Sequence, residues 1–103
     1  MNWQVITVAQ SKEIELLGVK EPASLTWLKA GENEYDLVQQ EGFNDFIQHN
    51  AYNLAEIAAM LQYSFVPSNV KEAGDKLIEH LKNGLLKAKD ANENLKEAKQ
   101  QSF

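Results

Sequence analysis

Residues 43–64 read FNDFIQHNAYNLAEIAAMLQYS, and how this stretch is divided decides the fold. Phe43, Phe46, Ile47, Asn50, Leu54, Ile57, Ala58 and Leu61 recur at the period of one helix face. Ala51, Tyr52, Ala55, Ala59 and Met60 add apolar surface on other faces. A helix apolar on most sides is normally surrounded by protein. The spacing therefore predicts a central helix over about 43–64. Phe65-Val66-Pro67 ends it, because proline lacks the N–H and clashes with the preceding turn.

Downstream, Ser68 is placed to cap a further helix. Val70, Ala73, Leu77, Leu81, Leu85, Ala88, Leu95 and Ala98 mark its apolar stripe. Asn83-Gly84 either sits inside one continuous helix at a cost of roughly 1 kcal/mol or divides two. Past Leu86 the apolar side thins to Ala88, Ala91, Leu95 and Ala98. This predicts a segment that projects, frays or pairs with another chain.

Upstream, the β-branched run Val5-Ile6-Thr7-Val8 suits a short strand, with a partner near Tyr35–Val38 or on another chain. Thr7 and Gln10 have capping-box spacing, and Ser11 is a second N-cap candidate. A short helix to Leu17 follows, with Gly18 at the left-handed C′ position and Val19 covering the last turn. Pro22 suits the first position of another helix, which carries the Leu25/Leu28 pair and stops at Gly31. Residues 32–41 fit two states. Tyr35 and Leu37 alternate like a strand, whereas Leu37-Val38 suits a helical turn.

The expected fold class is mainly α: a small helical domain with a central apolar helix, a long C-terminal helix and room for a short N-terminal β-strand. One all-helical domain spans residues 1–103, with a compact part over 1–66 and a long C-terminal helix or helical hairpin over 67–103.

Charge narrows the function. All ten basic residues are lysines, and the chain carries a net charge of −5. Residues 30–70 hold no lysine but six carboxylates: Glu32, Glu34, Asp36, Glu41, Asp45 and Glu56. Carboxylates on a surface imitate phosphates, but six over this length is the density of an ordinary solvated face. There is no cysteine, hence no disulfide and no zinc–thiolate site, and this fits a reducing compartment. No apolar run approaches the roughly 20 residues of a membrane span, and no secretory leader is visible, so a cytoplasmic protein is expected.

Residues 11–31 resemble the helix–turn–helix of small bacterial and phage regulators: two short helices joined by a Gly-containing link, with Trp27 on the second. The resemblance implies DNA contacts from Ser24, Thr26 and Lys29. Against it, DNA affinity comes largely from cations on phosphates, and this segment offers no arginine.

Catalytic chemistry has little to stand on. Asp45 and His49 lie four apart, a spacing that aligns two ligands or an acid–imidazole pair, but a metal needs three or four ligands and the only other histidine is His80. No nucleophile elbow, P-loop or dinucleotide fingerprint is present. No cofactor or metal is expected.

The expected function is a small acidic, non-catalytic protein-binding module, an adaptor, inhibitor or regulatory subunit. Its first expected partner is itself, as a homodimer, since the apolar inventory exceeds what the expected short neighbours cover. The interface residues on this basis are Tyr52, Met60, Leu81, Leu85 and Leu95. The alternative is a helix–turn–helix transcriptional regulator with a C-terminal dimerisation helix.

Overall fold

A computed structural model describes residues 5–39, 47–64 and 67–100. The fold is α+β rather than mainly α. In chain order it comprises α1 (Val8–Leu16), β1 (Leu25–Lys29), β2 (Tyr35–Gln39), β3 (Gln48–Ala51), α2 (Leu54–Met60), α3 (Val70–Asn83) and α4 (Ala88–Gln100). The strands form an antiparallel sheet ordered β2-β1-β3, which overturns the all-helical expectation.

The capping box at the start of α1 is present. The Thr7 hydroxyl accepts from Gln10 N–H (3.1 Å), and Gln10 Oε1 accepts from Thr7 N–H (3.0 Å). Gly18, at φ +103°, ends the helix in a Schellman turn. Its N–H donates to Glu15 C=O, and Val19 N–H donates to Ile14 C=O. Val19 and Ile14 are both buried, so the turn is sealed by an apolar pair.

The second expected helix, from Pro22 to Gly31, is instead extended and contains the central strand. Leu25 and Leu28 have helical spacing, but Thr26 and Trp27 between them favour a strand, and pairing on both sides decides the outcome. Trp27 stands opposite Leu37 on one side and His49 on the other. The open choice at Tyr35–Val38 resolves as strand. Val5 pairs not with that strand but with Asn53, and Ile6 N–H donates to Tyr52 C=O (3.0 Å).

The expected central helix is broken in the middle. Residues 48–51 are β3, and α2 begins only at Leu54. Asn53 is the reason. Its extended backbone (φ −91°, ψ 177°) and side chain start a new helix, with a reciprocal capping box to Glu56. The positions 43–46 of that expectation lie outside the described residues.

The Glu56 carboxylate is buried but fully occupied. It accepts from Asn53 N–H (2.8 Å), Ser24 N–H (2.9 Å) and the Ser24 hydroxyl (3.2 Å), which ties the entry of β1 to the start of α2.

Asn69, one residue after Ser68, caps α3 by accepting from Lys71 and Glu72 N–H groups. Left-handed Gly84 (φ +75°) divides α3 from α4. Contrary to the expectation of a loose tail, α4 is pinned. Ala91 and Leu95 are fully buried, and three polar side chains hold backbone on other elements. Asn92 accepts from Lys20 and Glu21 N–H groups (2.8 and 2.9 Å) and donates to Gly18 C=O (3.1 Å). Asn94 donates to Met60 C=O (2.9 Å), capping the end of α2. Lys99 reaches Glu21 (3.0 Å) and the Pro22 carbonyl. One core, with Ile6, Ile14, Tyr52, Ile57, Met60 and Leu77 at its centre, joins α1 to the three later helices.

Candidate protein-binding groove

Between the end of α2, the end of α3 and the start of α4 lies a groove of about 270 Å³. It is lined by Met60, Leu61, Gln62, Ser64, His80, Leu85, Leu86 and Asn94. Two unusual local structures build its rim.

The first is the end of α2. Gln62 N–H donates to Ala59 C=O and Tyr63 N–H to Ala58 C=O, the Schellman pattern seen at Gly18. Here no glycine is present. Gln62 (φ +53°) and Tyr63 (φ +63°) both occupy the left-handed region, at a cost of roughly 1–2 kcal/mol per residue. Gln62 donates to Asn94 Oδ1 (3.2 Å), which steadies the turn. Tyr63, between the lining residues Gln62 and Ser64, is left 71 % exposed.

The second is the α3–α4 corner. The N–H groups of Gly84, Leu85 and Leu86 all point to the His80 carbonyl, which makes a tight turn. Leu86 packs against the core, while Leu85 is turned outward and is 71 % exposed.

Of the residues expected at an interface, Leu85 alone is exposed. Leu81 is half-buried against the core. Tyr52, Met60 and Leu95 lie inside the subunit. The Tyr52 hydroxyl donates to Glu21 C=O (2.6 Å), and burial, followed by the nearby Glu56 charge, pushes the phenol well above its ordinary range. Tyr63 carried no helical-period signal for an interface. Its exposure follows from a backbone conformation that the side-chain pattern does not encode.

The residues of the DNA-binding alternative sit on or beside β1 rather than on a recognition helix. Thr26 is buried, with its hydroxyl donating to His49 C=O (2.9 Å). Ser24 is tied to Glu56, and Lys29 stands opposite Tyr35 at the end of the strand.

Asp45 lies outside the described residues. His49 pairs with Glu15 of α1, at 3.3 Å, and its ring lies near that of Tyr35. Glu15 also borders a polar cleft of about 290 Å³ with Lys20, Thr26, Gln48 and Asn50. The Thr26 hydroxyl is turned to the His49 backbone, not its ring, and Asn50 accepts from Ala23 N–H (3.1 Å). Among the described residues, no three His, Asp or Glu side chains are gathered to hold a metal ion, and no helix is long and apolar enough to cross a membrane.

The chain matches no protein-family model, no curated protein and no solved structure.

Proposed function

We propose that the chain is a small acidic, non-catalytic protein-binding module, an adaptor, inhibitor or regulatory subunit, that engages its partner through the groove between α2, α3 and α4. The observation that carries this is the pair Tyr63 and Leu85, two large apolar side chains each 71 % exposed at the groove. Tyrosine anchors beside a desolvated pocket are a common source of binding energy. The left-handed backbone under Tyr63 adds support, since strain of this kind collects at functional sites. The compartment that goes with this function is the cytoplasm, supported by a chain without cysteine.

The expectation of self-association rests on a surplus of apolar surface. With Tyr52, Met60 and Leu95 inside the subunit, the large apolar side chains left exposed among the described residues are Leu16, Ile47, Tyr63 and Leu85. Oligomeric mass is therefore one measurement within the test, not its premise. The test is affinity capture with the wild-type chain and with Leu85→Glu, followed by reconstitution from purified components and light scattering on each chain alone. Binding that is reconstituted with the wild type and lost in Leu85→Glu is expected. Capture and mass that do not differ between the two chains would overturn the proposal.

A further inference from the structure

Resting on that function, we infer that the groove takes an acidic segment of a partner protein, one that presents a bulky apolar side chain between carboxylates. The groove is lined by apolar side chains at Met60, Leu61, Leu85 and Leu86, and among its described lining residues only His80 is ionisable. The charge around it runs against the rest of the chain. From His80 to Lys89 there are three lysines and a histidine with no carboxylate, in a chain of net charge −5, and acids resume only at Asp90.

Lys82 is paired with Glu13 of α1 (2.5 Å). Lys87 and Lys89 are exposed and, among the described residues, enter no ion pair. Lys87 follows Leu86 directly and Lys89 stands in the first turn of α4, so unspent positive charge lies within four residues of the exposed apolar anchor. A basic partner would meet these lysines as like charges. A second copy of the chain would bring the same corner against itself in a two-fold contact, which again opposes like charges. An acidic, apolar segment satisfies both features.

The experiment selects random 12-residue peptides displayed on phage against the wild-type chain, then measures the enriched peptides as synthetic molecules by fluorescence polarisation. The expected binders combine Asp or Glu with Leu, Phe or Trp. Leu85→Glu is expected to abolish their binding. Lys87→Glu with Lys89→Glu should weaken it about tenfold or more, and added salt should weaken the wild-type interaction. Both lysines are exposed, so these variants keep the fold, which circular dichroism checks.

If peptides sensitive to Leu85→Glu are enriched but are neutral or basic, the acidic-partner inference fails and the protein-binding function stands. If the wild type is a dimer by light scattering and Leu85→Glu is a monomer, the occupant is a second copy and the inference likewise fails. If no enriched peptide distinguishes wild type from Leu85→Glu and both chains are monomers, the inference and the proposed function fall together.

Discussion

Gly74 of α3 lies against Gln10 of α1 so closely that a Cβ on the glycine would stand 2.8 Å from Gln10 Nε2, and equally close to Cγ2 of Ile6. The approach lets one buried glutamine join the cap of α1 to two sites on α3. Gln10 accepts from Thr7 at the helix cap and donates both to Lys71 C=O and to Asp75 Oδ1, each at 2.8 Å. Glycine inside a helix ordinarily costs about 1 kcal/mol relative to alanine. Here it is the residue that lets α1 and α3 meet.

Gly74→Ala should therefore destabilise the fold by about 2 kcal/mol, although alanine is the better helix former. Gly31→Ala, whose Cβ would meet nothing nearer than 3.5 Å, should be close to neutral. Urea unfolding of the two variants checks the contrast, and equal stabilities would show that the crossing is looser than described.

Asn92→Ala should cost about 1–3 kcal/mol, because it strips partners from Lys20 N–H, Glu21 N–H and Gly18 C=O at once. The loss is local in its signature. Amide hydrogen exchange at Lys20 and Glu21 should accelerate more than exchange in β1.

Tyr63→Gly should raise stability by about 1 kcal/mol, since glycine accepts the left-handed backbone and little packing is lost from an exposed ring. The same change should weaken partner binding. Thermal melts paired with binding measurements test this, and a variant that is both more stable and fully competent would remove Tyr63 from the interface.

Alkaline pH should expose the Tyr52 phenol. Its folded-state pKa is raised, by burial first and Glu56 second, so the folded state favours the protonated form. That contribution is complete below the ordinary tyrosine value of about 10 and is lost as pH climbs toward the folded value. Relative to Tyr52→Phe, the wild type should lose up to about 1.4 kcal/mol per pH unit above pH 10 and nothing between pH 7 and 9. Denaturation curves of both chains across that range give the difference directly.

What could be read in advance was local. Thr7 with Gln10 and Gly18 with Val19 declare α1 within a dozen residues, because capping and left-handed termination involve near neighbours. Asn53 with Glu56 carries the same kind of signal. The helical spacing of Phe46, Ile47, Asn50 and Leu54 runs straight across it and hides the strand at 48–51. Leu25 with Leu28 misled in the same way, since strand pairing is set by residues far along the chain. The grip on α4 is illegible for that reason: Asn92, Asn94 and Lys99 act on backbone atoms more than thirty residues away. At the groove, Leu85 was visible as part of an apolar stripe. Tyr63 was not, because two successive left-handed residues without glycine have no sequence signature.

The clamp by Asn92 and Lys99 also sets an order of events during synthesis. The turn after α1 leaves the ribosome early, with two amides and a carbonyl whose partners are more than seventy residues behind. Until that asparagine arrives, the apolar cluster stays open on one side. Such distant closures slow folding, and a nascent chain paused within α3 would present sticky surface to its surroundings.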